Sequence, residues 1–195
     1  MPAHKLLLHP QATGFRASTE RIATALREIG LVDTPRMLGD GVFYSTGPAF
    51  LQLVTFLGCS PAIELDPPQD PARVSEASAS GTFCHVFVDS HDQPRFRHDP
   101  HTPAPACPSC HRPLAGWPGL CAQARDNPLT TVWTCTACGR QGEFAALRLR
   151  RSAAIARCWV EIRGVHPAEA VPSAQFLQTL HELGGGPWHA IYLRE

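Results

Sequence analysis

Charge is the scarcest ingredient of this sequence. Of its 195 residues, 17% are Asp, Glu, Lys or Arg, against roughly 25% in a typical soluble domain. The 17 basic and 17 acidic side chains also cancel. With no net charge there is no long-range pull toward nucleic acid or an anionic membrane, so binding of either kind needs a local patch. Long apolar runs are missing as well. The longest, PAFLQLVTFLGC from Pro48 to Cys59, is broken by Gln52 and Thr55 and falls short of the ~20 residues that cross a bilayer. That excludes a helical membrane span. The opening MPAHKLLLHP has too short an apolar stretch for a secretory signal, so a cytoplasmic location is expected. Methionine is confined to Met1 and Met37, which leaves few axial ligands for a haem.

What the sequence does hold is apolar bulk, 44% of residues, enough for a core without disulfides or a metal. Leu6 to His9 reads as a strand. Ser18 to Ile29 reads as an amphipathic helix, with Ile22, Leu26 and Ile29 at helical spacing and Gly30 as its stop. Gly41 to Ser45 is β-rich, Phe50 to Phe56 fits a buried strand or a helical turn equally, and Ala62 to Leu65 is a further short strand. Asp66 to Ser80, DPPQDPARVSEASAS, has the composition of a mobile loop. Phe83 to Val88 is the most strand-like segment, and the His- and Pro-rich stretch from Ser90 to Pro105 marks a boundary. Later come a strand from Ala156 to Val165, a helix capped by Ser173 and ended by Gly184, and a last strand from Trp188 to Leu193. The expected class is α+β: a mixed sheet with two helices, a ferredoxin-like split βαβ being one arrangement, and an inserted cysteine module. Residues 1–100 and 151–195 form the two parts of the body and 101–150 the insertion.

Eight cysteines in a chain without an export signal point to thiolate or metal chemistry rather than a disulfide framework. Four sit in two C-x-x-C pairs, Cys107-Pro108-Ser109-Cys110 and Cys135-Thr136-Ala137-Cys138, with 24 residues between Cys110 and Cys135. Two intervening residues make a tight turn that aims both sulfurs at one ion, and two such turns complete a tetrahedron. Val132 to Thr134 leads into the second pair and Gln141 to Leu149 leads out, so that pair should cap a β-hairpin. From Cys107 to Phe144 the module resembles the zinc-ribbon class. The resemblance implies a structural Zn²⁺ on Cys107, Cys110, Cys135 and Cys138, because four thiolates leave no open position for water. The linker exceeds the ~15–20 residues usual for this pattern, and the excess, GWPGLCAQARDNP, reads as turn-forming. CPSCH also matches a c-type haem motif, either pair matches a helix-borne redox motif, and the same cage takes iron. Zinc is preferred because no export signal precedes the motif and Pro113 and Gly116 oppose a helix.

Other residues carry weaker signals. His91, His98 and His101, with Asp92 and Asp99, form the densest non-cysteine ligand cluster, although a solvated loop explains them better. His111 and Cys121 lie within the module as loop or supporting residues. Cys59, after a glycine, faintly suggests a nucleophile but has no base near it in sequence, and Cys84 and Cys158 read as core. His85, His166, His181 and His189 show no shared spacing. Arg140, Arg148, Arg150 and Arg151, with Arg157 further on, make a local basic stripe that suits nucleic acid or an acidic partner. The preferred function is a non-enzymatic zinc protein whose module presents a surface to a protein partner. A nucleic-acid-binding regulator using the arginine stripe is the second reading, and a small-molecule enzyme with a site in the α/β body is the third. A polar pocket around Cys59, His85 or His98 would favour the enzyme.

Overall fold

The computed structural model describes residues 4–38, 41–57, 64–149, 152–165 and 169–194. In chain order the elements are β1 (His4–Pro10), α1 (Thr19–Glu28), β2 (Val32–Leu38), β3 (Gly41–Thr46), α2 (Phe50–Leu53), β4 (Val54–Phe56), α3 (Pro71–Ser80) and β5 (His85–His98). They continue with α4 (Trp117–Ala124), β6 (Val132–Thr134), β7 (Gln141–Glu143), a 3-10 turn (Phe144–Ala146), β8 (Ala153–Arg163), β9 (Ala170–Pro172), α5 (Ala174–Leu183) and β10 (Trp188–Arg194). The class is α+β, as expected.

Six strands make one sheet in the order β10-β1-β8-β5-β3-β2, and every pairing in it is antiparallel rather than mixed as expected, with five helices among the described residues where two were expected. Strands β1 and β5 therefore run the same way on either side of β8. With α1 following β1 and α5 preceding β10, the strands β10, β1, β8 and β5 have the split βαβ arrangement of a ferredoxin-like sheet, extended beyond β5 by the β2–β3 hairpin. A second small ladder pairs β4 with β9, and β6 pairs with β7 in the cysteine module.

Alternation along the strands assigns the two faces. Leu6 and Leu8 of β1, Val86 and Val88 of β5, and Cys158, Val160 and Ile162 of β8 share one core with Ile22 and Leu26 of α1 and Phe176 and Leu180 of α5. The two long helices thus cover one face. Ser18 caps α1 by accepting from the Arg21 N–H, and Ser173 caps α5 by accepting from the Phe176 N–H. On the opposite face Phe43, Phe83 and Ala77 of α3 form a smaller cluster, leaving Lys5, Glu161 and Arg163 uncovered by the long helices.

The structure corrects several expectations. Residues 71–80 form a helix, not a loop, because Asp70 caps it by accepting from the Ala72 N–H and Pro71 occupies its first turn. The segment Phe50–Phe56 is both alternatives in succession, a helical turn and then a strand. Strand β5 does not stop at Val88 but runs to His98 across a wide bulge, in which residues 91–94 bow out opposite Arg157 alone. The linker inside the cysteine module holds helix α4, whose Trp117, Cys121 and Ala124 are buried, instead of a turn-forming excursion. Strand β2 has no counterpart among the strands expected from sequence. Of the expected strand Ala62–Leu65, residues 62 and 63 lie outside the described residues.

Candidate metal centre

The two cysteine pairs sit on turns with the same backbone. In the first, the His111 N–H donates to the Cys107 carbonyl at 2.9 Å and the Cys107 N–H to the Arg112 carbonyl at 2.8 Å. In the second, the Gly139 N–H donates to the Cys135 carbonyl at 2.8 Å and the Cys135 N–H to the Arg140 carbonyl at 2.8 Å. Each knuckle then needs a left-handed residue directly after its second cysteine. Gly139 supplies it at φ 74°, and His111 at φ 59° is the one non-glycine residue with positive φ among those described. The second knuckle closes the β6–β7 hairpin and the first is pinned by an isolated bridge between Ala106 and Pro113. Neither pair opens a helix, which removes the helix-borne redox reading.

Facing each other, the knuckles bring the four sulfurs together. All lie within 4.8 Å of one another, with Cys107 Sγ to Cys138 Sγ at 3.8 Å and Cys110 Sγ to Cys135 Sγ at 3.6 Å. These separations are far beyond a disulfide bond, and the four cysteines are free thiols. A Zn–S bond of about 2.3 Å implies tetrahedral S···S edges of about 3.8 Å, so the cage has the size a metal ion requires. Backbone N–H groups point into it. Those of Cys110 and Ser109 help bring the Cys107 thiol down to about 6 against the effect of desolvation, and those of Ala137 and Cys138 lower Cys135. At Cys138 the Arg140 N–H also lowers the pKa, but desolvation and the three neighbouring sulfurs outweigh it and hold the thiol up near 11. The backbone thus favours the thiolate form at Cys107 and Cys135.

The module is seated by aromatic packing. Trp117 of α4 stacks on Phe144 at 5.7 Å, Phe96 of β5 meets Phe144 edge-on at 4.7 Å, and Ala153 and Ile155 of β8 join the same cluster as Cys107 and Cys135. Trp117 Nε1 donates to the Thr102 carbonyl at 3.0 Å. In the hairpin, Trp133 lies over Gly142 and donates to the Glu143 carbonyl at 3.0 Å.

Among the described residues, the four cysteines are the only group placed to hold a metal. His91, His98, His101, Asp92 and Asp99 do not converge. His98 stacks on Phe96 and donates through Nδ1 to the Asp99 carbonyl, Asp99 accepts from the backbone N–H groups of His101 and Arg194, and Asp92 pairs with Arg16. Cys121 is buried on α4, its thiol pushed up to about 11 by burial. Cys84 and Cys158 are core residues as expected, with burial raising Cys84 to about 12. Of the basic stripe, Arg140 and Arg148 are exposed on the module and Arg140 donates to Ser109 Oγ. Arg157 belongs elsewhere, held by the Gly14 and Asp92 carbonyls. Arg150, Arg151, Cys59 and His166 lie outside the described residues.

Sequence reasoning misses the buried ion cluster around Glu161. Lys5 Nζ at 3.2 Å, Arg163 Nε at 2.5 Å and Arg97 Nη1 at 2.6 Å converge on its carboxylate, and Arg97 Nη2 reaches Asp89 at 2.7 Å. Burial would raise the Glu161 carboxyl, but the three cations prevail and hold it down at about 2. Glu161 interrupts the apolar run of β8 at a position facing away from the helices, the one trace of this cluster in the sequence.

Fold and site together define an α+β protein with a four-cysteine cluster that can hold a metal ion. No family model matches the chain, and no curated protein and no solved structure matches it significantly. No helix among the described residues is long and apolar enough to cross a membrane.

Proposed function

We propose that the protein is a non-enzymatic zinc protein in which a structural four-cysteine zinc ribbon supports a surface for a macromolecular partner. The observation that carries this reading is the closure of four sulfurs around one point from two knuckles of matching backbone. Four thiolates fill a tetrahedral ion completely, so the metal holds the module together and activates no water. Its binding contributes folding free energy on the order of 10 kcal/mol, added to the aromatic cluster that seats the module. Support for a partner surface comes from Leu129 and Val132, 46% and 56% exposed beside the second knuckle, with Arg148 exposed in the same module. Exposed apolar residues rimmed by charge suit a protein contact.

Metal analysis of purified protein with an absorption spectrum tests the first half. One zinc per chain without colour supports it; a Soret or ferric-thiolate band overturns it. For the surface, the proteins cross-linked to wild type in its cell of origin are compared with those cross-linked to Leu129→Asp and Val132→Asp. A specific partner lost from both folded variants supports the reading, and an unchanged set overturns it.

The exposure of Arg140 and Arg148 favours a second reading, nucleic-acid binding. It requires affinity that falls steeply with salt and is reduced in Arg140→Gln and Arg148→Gln. The enzyme reading asks for a polar pocket near Cys59, His85 or His98. His85 is closed off beneath α3, but His98 borders a polar cleft.

A further inference from the structure

That cleft, about 580 Å³, opens on the sheet face away from α1 and α5, where the body meets the cysteine module. Cations dominate its lining: Lys5 of β1, Arg95 and Arg97 of β5, Arg163 of β8, Arg194 of β10, and Arg125 directly after α4. Four carboxylates oppose these six groups. Asp126 pairs with Arg95, Asp99 with Arg194, Asp89 with Arg97, and Glu161 is shared by Lys5, Arg97 and Arg163. These groups are gathered in a concave, partly enclosed place where a charge interaction is stronger than in open water.

Hydrogen-bond donors are left over in the same place. Arg163 gives Nε to Glu161 while its guanidinium carbon lies 4.3 Å from the centre of the Phe87 ring. Its two terminal nitrogens have no acceptor among the described residues, and the Phe87 contact fixes the direction of that fork. Arg125 has no ion-pair partner there either. A planar guanidinium held by one edge and one face presents its other edge as a pair of parallel N–H donors, the geometry that recognises a phosphate or carboxylate in bidentate fashion. Glu161 makes this arrangement durable: its buried carboxylate anchors Lys5, Arg97 and Arg163 together.

From this excess of oriented donors we infer that the cleft is a binding site for a phosphate-bearing ligand, with Arg163 and Arg125 as its principal contacts and Glu161 as the residue that positions Arg163. The volume accommodates a compound of nucleotide size. A phosphate of this kind comes from a small ester or from the backbone of a single nucleic-acid strand threading the cleft, and both satisfy the same donors. The site stands apart from the cysteine centre and does not depend on what the module's own surface binds.

Calorimetric titration of the metal-loaded full chain with inorganic pyrophosphate at low salt tests the inference. Saturable one-to-one binding is expected, weakened at least about tenfold in Arg125→Gln and in Arg163→Gln and unchanged in Arg27→Gln, on α1 at the other face of the sheet. Absence of saturable binding overturns the assignment, as does equal weakening in all three variants, which marks a general charge effect. Arg163 also holds Glu161, so if Arg163→Gln no longer unfolds cooperatively, Arg125→Gln decides: weakened binding there upholds the site and unchanged binding overturns it. Competition identifies the source. Displacement of pyrophosphate by ATP but not by a single-stranded oligonucleotide assigns a small ester, and the reverse assigns a nucleic-acid strand.

Discussion

At the level of single residues, the cysteine site is where sequence and structure agree most closely. The C-x-x-C spacing is itself geometric: two residues between sulfurs leave the backbone one tight turn, and the turn fixes the aim of both thiols. Replacing Cys135, 1% exposed at the heart of the module, with Ser should therefore abolish metal retention and raise amide exchange throughout residues 107–149, while strands β1 and β8 keep their protection. Metal content and hydrogen exchange check this; a variant that still holds one ion per chain contradicts it. His111 offers a finer test. It occupies a left-handed backbone that Gly139 fills without strain in the other knuckle, and that conformation costs a non-glycine residue roughly 1–2 kcal/mol. His111→Gly should stabilise the metal-loaded protein by about 0.5–1 kcal/mol, the greater entropy of unfolded glycine offsetting part of the relief. A lowered unfolding midpoint in denaturant would show that the His111 side chain has a role of its own.

Among the elements, those with both a periodic apolar face and a polar cap are legible in the sequence. Helices α1 and α5 each combine a buried stripe with a serine N-cap, and β1, β8 and β10 are apolar enough to declare themselves. The illegible elements are those whose composition speaks for one structure and whose termini speak for another. Helix α3 is built from Ala, Ser and Pro and has little apolar periodicity, yet Asp70 and Pro71 start it and Gly81 at φ 66° ends it. Asp70→Ala should accordingly cost about 1 kcal/mol, read as a drop in the thermal midpoint together with faster exchange in residues 71–80. An unchanged midpoint would mean that α3 is held by Phe43 and Phe83 alone. Helix α4 is hidden for the same reason, a Pro and two Gly in the stretch suggesting turns while Trp117, Cys121 and Ala124 supply the buried face. The second half of β5 is obscured because a histidine- and proline-rich string looks like loop; the bulge at residues 91–94 takes up the misfit and lets the ladder resume at Arg95.

Across the whole molecule, only one face of the sheet buries a histidine and a carboxylate among the described residues, a difference that strand order creates and linear sequence conceals. The helix-covered face holds apolar residues, whereas the other, beside apolar clusters of its own, buries His85 and Glu161, both fully or nearly fully enclosed. His85 sits with Nδ1 donating to the Phe83 carbonyl at 3.0 Å, which leaves Nε2 to accept from the Ser78 hydroxyl at 2.8 Å. Neutral imidazole satisfies both bonds, and burial, the largest influence, lowers its pKa from 6.5 to about 4. Between these values the unfolded chain binds a proton that the folded chain refuses, so stability rises with pH across that window and is lost as pH falls through it. At about 1.4 kcal/mol per pKa unit this amounts to about 3 kcal/mol. Glu161 acts lower on the scale: its carboxyl, held at about 2 by Lys5, Arg97 and Arg163, contributes stability that is complete above the ordinary carboxylate range and disappears as the medium approaches pH 2. Denaturant titrations of the metal-free body should therefore show two successive losses on acidification, the first between pH 6.5 and 4, to which His9 also contributes because burial lowers it to about 4 as well, and the second below it. His85→Gln should reduce the first by roughly the same 3 kcal/mol and leave the share of His9 and the second loss in place. Metal-free protein is the right subject because thiolate protonation would release a bound ion in the same acid range and mask the histidine. A first loss that survives His85→Gln undiminished would show that this ring is not the group refusing the proton.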